Sequence, residues 1–451
     1  MKRIYILLIS IIVSFATAFA DNPEIERLMQ EGFELHIIGD FESAIEKYNE
    51  ALQIDPTNIY AIYEIALSYL AMGNYANAII YTTKVLNSHD RTLAIGAYAI
   101  QSEALAALGR PNEAITLLER ALEANANEYL LHFNLALLFY KANDLENTLL
   151  HVKKTINLNK MNADAFLLYA YVLNDLGLWV QSILAFQMFL LIEPDDIRSR
   201  EAFEELLITM HIVPAGYDDE WGHSYELPAT PALYPPLSTI NGINKYQVFN
   251  TINSVLNTLR AGWQEGDEEM AEAIEVADGI EEEIEEINHL FIEFKEVNRE
   301  IILLFNDKND GSEERTGIFW TFYVPFFTRI VESEHYETFA RYISVSYFPD
   351  SFEWWQDHPE DAELFVNWFI EGDEEYPYFD YDGYYYYDTG EEIIAEPTIE
   401  PTVEVVGNES NWDNDFTTVP LIRPSFFQRI TSIFRTQPVV ENNDTETEDL
   451  Q

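Results

Sequence analysis

The stretch GDFESAIEKYNEALQIDPTN, residues 39–58, decides the fold of the first half of the chain. It begins with Gly39, a residue type that commonly ends a helix in the left-handed conformation. An amphipathic segment follows, with apolar side chains spaced three and four residues apart. The stretch closes on Asp55 and Pro56, and proline cannot continue a helix. It therefore predicts one helix between two turns, and the next question is whether this unit recurs.

A turn residue does recur, at intervals of 34, 36, 34 and 34 residues: Gly39, Gly73, Gly109, Asn143 and Gly177. Five positions after each turn residue lies a small one, at Ala44, Ala78, Ala114, Thr148 and Ser182. Seven positions before each lies another, at Gly32, Ala66, Ser102, Ala136 and Ala170. Small side chains midway along successive helices allow antiparallel helices to approach closely. The pattern therefore predicts five helical hairpins of the same design.

This period and its small residues resemble the tetratricopeptide repeat (TPR) family. The resemblance covers residues 25–194 and is closest in the first unit, at Gly32, Gly39, Ala44, Tyr48, Ala51 and Pro56. It is weakest in the fourth unit, where Asn143, Thr148 and Thr155 replace the usual small residues. The resemblance implies an all-α fold, a TPR alpha-solenoid over residues 21–212. Residues 195–211 would be the polar-faced helix that caps the last unit.

The resemblance also implies that the first helix of each unit lines a concave face that binds a protein or peptide partner. The inward positions are mostly apolar or aromatic: Met29, Phe33, Tyr60, Tyr63, Leu67, Leu70, Phe133, Leu137, Tyr140, Leu167, Tyr171 and Asn174. Such a face suits an amphipathic helix or an extended apolar peptide. The same positions carry almost no Lys or Arg, which excludes the family's carboxylate-clamp subset. For each single residue, packing between neighbouring helices is an alternative role.

The second half of the chain predicts another helical unit. Residues 213–240 contain five prolines and read as a linker, and residues 241–372 read as a small helical domain. Helices are predicted at 244–262 and 266–306, and the second carries a heptad stripe from Met270 to Phe305. The stripe fits either a coiled-coil dimer or the long helix of an antiparallel bundle. The bundle is favoured, because the glutamates of EEEIEE, residues 281–286, would repel each other between parallel copies.

Residues 1–20, MKRIYILLISIIVSFATAFA, have the form of a cleaved secretory signal. Two cations precede a short apolar run, and Ala18-Phe19-Ala20 matches the site that signal peptidase accepts. An uncleaved membrane anchor is the alternative. No cysteine is present to accept a lipid, and no later segment is apolar for long enough to span a bilayer. We expect an exported protein of a bacterial periplasm or exterior, with no membrane span after cleavage.

Residues 373–451 are acidic and rich in tyrosine, and we expect a disordered tail. One island in it differs: PLIRPSFFQRITSIFRTQP, residues 420–438, contains three arginines and no acid. Its apolar residues Phe426, Phe427, Ile430, Ile433 and Phe434 share one helical face. This segment could lie at a membrane surface, dock on a partner, or fold back onto its own chain. The last two are favoured, because three arginines attach weakly to a membrane.

The charge and motif content narrow the function further. The formal net charge is −54, with 27 Asp and Glu against 12 Lys and Arg over residues 21–210, and 52 against 11 over 211–451. Such a surface repels nucleic acid. The sequence contains no H-E-x-x-H, G-x-S-x-G or phosphate-binding loop motif, so it predicts no catalytic residue, metal ligand or cofactor. The alternative to a scaffold is an enzyme or enzyme-associated subunit with a cleft of acids and aromatics in residues 241–372.

Overall fold

The computed structural model describes residues 22–88, 93–212, 244–270, 280–309 and 318–371, and the regular elements in these ranges are helices. Up to residue 192, the helices pair into five hairpins. Odd-numbered helices come first in each hairpin and even-numbered helices second. They are α1 (Pro23–Ile37), α2 (Phe41–Ile54), α3 (Ile59–Ala71), α4 (Tyr75–Asn87), α5 (Ala94–Ala107), α6 (Pro111–Ala124), α7 (Tyr129–Lys141), α8 (Leu145–Leu158), α9 (Ala163–Asp175) and α10 (Trp179–Ile192).

The turns inside the hairpins form where the sequence predicts them. After α1, the backbone N–H of Asp40 donates to the carbonyl of Leu35 (3.0 Å), a bond that requires the left-handed backbone of Gly39 between them. The Asp40 side chain then accepts from the backbone N–H of Ser43 (3.2 Å) and so begins α2. One residue thus ends one helix and starts the next. All five predicted turn residues have positive φ: Gly39, Gly73, Gly109, Asn143 and Gly177.

Small residues bring the helices together in two layers. The second-helix positions Ala44, Ala78, Ala114, Thr148 and Ser182 are fully buried. The first helices also contact one another along the array: α3 contacts α5, α5 contacts α7, and α7 contacts α9. Between α1 and α3, His36 Nδ1 lies 2.9 Å from Ser68 Oγ. The odd-numbered helices therefore form one continuous layer, which we call the inner layer. Its free side is the face that the resemblance assigns to a partner.

The remaining helices are α11 (Ser199–Thr209), α12 (Lys245–Met270), α13 (Ile280–Lys308), a π-helical turn (Phe319–Tyr323), α14 (Val324–Glu332), α15 (Tyr336–Ile343), α16 (Pro349–Asp357) and α17 (Pro359–Glu371). The predicted single helix at 266–306 is wrong at its start, because residues 266–270 continue α12 from Lys245, and the structure describes α13 from Ile280 to Lys308. The two helices contact each other. Nine connecting residues span at most about 30 Å and cannot return along the roughly 40 Å of α12, so the pair is antiparallel.

The last repeats and the C-terminal helices share one hydrophobic core, which extends from Phe133 to Val366. Every residue of α10 from Val180 to Ile192 is buried, and α10 contacts α11, α15 and the π-helical turn. At its centre Gln187 and Asn298 of α13 exchange two side-chain hydrogen bonds, at 2.7 and 3.2 Å. The part of the heptad stripe from Phe291 to Phe305 is therefore packed within the chain, as in a bundle, and the predicted linker does not separate two cores.

The helix α11 does not end the array with a face turned to solvent. Its Phe203 is fully buried, with its ring centroid 4.8 Å from that of Phe294 and 5.5 Å from that of Phe348. Arg198, also buried, ties α11 to the array through ion pairs with Asp164 (2.6 Å) and Glu193 (3.1 Å). The C-terminal helices thus complete the far end of the array, because the apolar surface of α11 would otherwise be exposed.

Several sequence predictions concern residues outside the described ranges: the signal at 1–20, the linker at 213–240, and the tail at 373–451 with its segment 420–438. Within the described ranges, none of the helices combines the length and the apolar character needed to cross a bilayer.

Candidate peptide-binding surface

The twelve predicted partner-binding residues lie on α1, α3, α7 and α9, four of the five helices of the inner layer. The structure buries four of them. The exposed fractions are 2% for Met29, 1% for Phe133, 5% for Leu137 and 1% for Leu167. Met29 belongs to the core of the first repeats, and the other three belong to the core shared with the C-terminal helices. Because inward positions also fill the space between adjacent helices, these four offer a partner no surface in this arrangement.

Five of the remaining residues, all half-buried, form what we call the N-terminal surface: Phe33, Tyr60, Tyr63, Leu67 and Leu70. Tyr63, Leu67 and Leu70 pack at their bases against a buried cluster that includes Ala66 and Ile100. The Tyr63 ring also crosses to α5, where a Cβ built on Gly96 would overlap the Tyr63 hydroxyl. The apolar side chains are therefore anchored at one end and accessible at the other, as in a preformed binding surface.

Glu64 places a carboxylate on the same helix, next to Tyr63. It is half-buried, and burial raises its pKa to about 7. Among the described residues it has neither a salt bridge nor a side-chain hydrogen bond. The neighbouring Tyr48 hydroxyl is buried without a hydrogen-bond partner, and its pKa is raised by burial and, second, by the Glu64 charge. A half-buried acid with no cation beside it would be stabilised by a cationic ligand group.

The last three predicted residues, Tyr140, Tyr171 and Asn174, form a second half-buried group, which we call the C-terminal surface together with Asp175 and Glu205. The Tyr140 hydroxyl donates to Asp175 Oδ2 (2.8 Å), and Asn174 Nδ2 donates to Thr209 Oγ1 of α11 (3.0 Å). Thr209 and Glu205 are four residues apart on α11 and share a face.

Glu205 repeats the situation of Glu64 at this end of the array. Burial raises its pKa to about 7, and the charges of Glu204, Glu201 and Asp175 raise it further. Burial also raises the pKa of Asp175, against the effect of the hydrogen bond from Tyr140. The N-terminal and C-terminal surfaces are therefore apolar and aromatic with a half-buried glutamate at each, Glu64 and Glu205, and they bear the opposite charge to a carboxylate clamp.

Sequence reasoning missed both glutamates. Glu205 lies 34 residues after Tyr171, so continuing the repeat period for one unit beyond the predicted array would have placed it on this face. Glu64 directly follows Tyr63, and no periodic signal separates it from the many solvated acids of the chain.

Several aromatic residues of the C-terminal region belong to its core. Trp320, Tyr323 and Tyr342 are among the largest fully buried side chains. In the described part of the chain, no three His, Cys, Asp or Glu side chains are grouped so that they could hold a metal ion. The histidine pair His132 and His151, with Nδ1 atoms 3.0 Å apart, packs beside Phe139, and burial lowers both pKa values.

Comparison with protein families matches three profiles to this region. The profile described as "TPR repeat" matches residues 32–73, and two described as "Tetratricopeptide repeat" match residues 60–92 and 101–147. This region is a tetratricopeptide repeat array. The matched ranges begin in α1 and end in α8, and the fifth hairpin, α9 and α10, continues the same packing beyond them. No curated protein matches the chain.

Several solved structures are similar to part of this chain. One is the MamA protein, at 23% identity over 37% of this chain and 90% of that one, with a TM-score of 0.30. Another is a thermophilic TPR protein of Thermus thermophilus, at 19% identity over 41% and 99%, with a TM-score of 0.37. YrrB, "a TPR protein with an unusual peptide-binding site", has 20% identity over 42% and 96%, with a TM-score of 0.29.

Proposed function

We propose that this protein is an interaction scaffold whose N-terminal surface holds an apolar segment of a partner protein. The observation that carries the proposal is the row of half-buried apolar side chains on the inner layer, of which Tyr63, Leu67 and Leu70 are the best anchored. Tetratricopeptide repeats are built for this use, because a stack of helices presents one extended face. The partner's contacts would be those of a helix in a groove, with side chains three and four residues apart.

We further propose that the protein acts outside the cytoplasm, after export and cleavage behind Ala20. The cationic start, the short apolar run and the Ala18-Phe19-Ala20 site support this location. Sequencing the N-terminus of the protein recovered from a producing bacterium tests it. We expect a mature chain that starts at Asp21 in the periplasmic or culture fraction. A chain retained whole in the membrane fraction would contradict cleavage.

The binding surface is tested with two matched double variants of the full chain. Leu67→Ser with Leu70→Ser removes apolar area from the proposed surface. Ile80→Ser with Leu150→Ser removes comparable side chains from the second helices α4 and α8, where they are 52% and 49% exposed. Each inner leucine is already half-buried, so full burial by a partner adds about 1 kcal/mol per residue. The inner pair should therefore weaken binding roughly 30-fold.

The assay is affinity capture with quantitative mass spectrometry, using wild type and both variants as bait. We expect a set of proteins that the wild type and the outer variant capture equally and the inner variant loses. Circular dichroism and thermal unfolding of each bait show that the helices are retained. The proposal fails if the inner and outer variants capture the same proteins in the same amounts.

A further inference from the structure

The inner layer of the array and one segment of the tail have complementary composition. The N-terminal surface combines apolar side chains with the uncompensated carboxylate of Glu64, and no cation of the described residues pairs with it. Its preferred ligand is therefore an apolar helix that also carries positive charge. Cations are scarce in this protein, which has 25 Lys and Arg against 79 Asp and Glu.

Residues 372–451 contain 19 acids and three cations, and all three cations lie in the segment 420–438. The same segment contains no acid, although acids occur on both sides of it. If a helix begins at Pro424, its five large apolar residues, from Phe426 to Phe434, would occupy one face. Arg429 borders that face, one turn from Phe426 and Ile433. The segment therefore has both properties that the N-terminal surface selects.

The connection between the two is long enough. The last described residue is Glu371, and 48 residues separate it from Pro420. Random-coil statistics give a chain of this length an r.m.s. span of roughly 40 Å. From α11, near which the C-terminal helices pack, the inner layer reaches α3 in four helix-to-helix steps, or roughly 40 Å at ordinary packing distances. The segment can therefore reach the N-terminal surface without stretching.

We propose that residues 420–438 dock on the N-terminal surface of their own chain, with the apolar face on Leu67 and Leu70 and an arginine beside Glu64. This proposal rests on the proposed function, because both assign binding to the same surface. An external partner would then compete with the tail, which acts as a built-in inhibitor. Tethering supplies an effective concentration on the order of 1 mM, so an intrinsic dissociation constant of roughly 0.1 mM would leave about nine molecules in ten closed.

The absence of cysteine from the chain makes a direct test possible, because any introduced pair is unique. We compare two double variants of the full chain: Leu67→Cys with Ile430→Cys, and Ile80→Cys with Ile430→Cys. Ile80 is 52% exposed on the second helix α4, so it offers an accessible thiol on the other layer. Mild oxidation is followed by non-reducing electrophoresis and peptide mass spectrometry. We expect the intramolecular disulfide to form at least tenfold faster with Leu67→Cys.

Both double-cysteine variants are then prepared with the additional substitutions Arg423→Glu, Arg429→Glu and Arg435→Glu. We expect the preference for Leu67→Cys to disappear, and a background of three Arg→Lys substitutions to keep it. Equal disulfide rates at the two positions, or a preference that survives the Arg→Glu changes, overturn the proposal. A membrane role for the segment is tested by sedimentation with anionic phospholipid vesicles. If the disulfide preference is absent and the wild type sediments with the vesicles while the Arg→Glu variant does not, the segment binds a membrane instead, and the proposal is overturned.

The outcome is separable from that of the proposed function. If only self-docking is wrong, the disulfides show no preference, while the Leu67→Ser and Leu70→Ser bait still loses its captured proteins. If the surface binds nothing, both experiments give no difference. If both proposals are right, the Arg→Glu variant also captures more partner than the wild type, by roughly the tenfold that closure withholds.

Discussion

Replacement of Glu64 by glutamine should stabilise the protein at neutral and alkaline pH. Burial raises the pKa of this carboxyl from 4.5 to about 7, so folding opposes its ionisation. Below pH 4.5 the group is protonated in both the folded and the unfolded state and has no effect. Between pH 4.5 and 7 the folded state keeps a proton that the unfolded chain releases, so stability falls as the pH rises. Above pH 7 the whole penalty is present.

The size of the effect follows from the same shift. A change of this size corresponds to about 3 kcal/mol if it is expressed fully. The side chain is half-buried and partly screened by water, so we expect a gain of about 1–2 kcal/mol for Glu64→Gln at pH 8. Glutamine keeps the shape of the side chain and leaves no charge to desolvate. For a cooperative unit of the size of the repeat array, this gain in the free energy of unfolding corresponds to an increase in melting temperature of roughly 3–6 °C.

The assay is thermal unfolding, followed by circular dichroism, of wild type, Glu64→Gln and Glu46→Gln at pH 4, 6 and 8. Glu46 lies on α2 and is exposed, so its replacement controls for the loss of one charge from a very acidic chain. We expect Glu64→Gln to gain stability progressively from pH 4 to pH 8 relative to the control. Equal melting temperatures of the two variants at pH 8, or a gain that is largest at pH 4, would refute the assignment of Glu64 as a desolvated acid.

Three further tests probe the packing. Gly96→Ala should be less favourable in wild type than in a Tyr63→Ala background, by about 1 kcal/mol in urea unfolding, because the new methyl group displaces the Tyr63 ring and the gain in helix propensity is common to both; equal effects in the two backgrounds contradict that contact. Gln187→Leu alone should cost about 2 kcal/mol, since it leaves Asn298 buried without its partner, whereas adding Asn298→Leu should recover most of the loss in a double-mutant cycle. Phe203→Ala should lower the free energy of unfolding by about 3–5 kcal/mol and increase amide hydrogen exchange in both α10 and α13. Exchange that increases in only one of these helices would show that the core is divided.

The repeats could be predicted from sequence because their signal is local and redundant. Gly39 and its counterparts fix the turns by backbone geometry, and Ala44 and its counterparts fix the approach of the helices. Five copies in phase make single departures such as Asn143 harmless. The start of the second long helix was misplaced at residue 266, since the apolar period of residues 266–306 includes Met270, which lies in α12.

The binding surface was only partly predictable, for a different reason. Inward direction on a helix follows from the period, but exposure depends on what else packs there. Phe133 and Leu167 have the same repeat position as Tyr63, yet they lie in a core completed by residues more than a hundred positions later. Glu64 was missed because only the folded structure shows whether a cation lies beside a given acid.

The enclosed helix α10 also has a consequence for biogenesis. Gln187 of α10 is hydrogen-bonded to Asn298, which lies 111 residues further along the chain. While the polypeptide emerges in order from its N-terminus, the first hairpins can close on themselves within a few dozen residues, but α10 must wait for a much later part of the chain. During that interval the 14 residues from Trp179 to Ile192 are an exposed, apolar segment without charged side chains, which favours aggregation. A holding chaperone would find its natural target there.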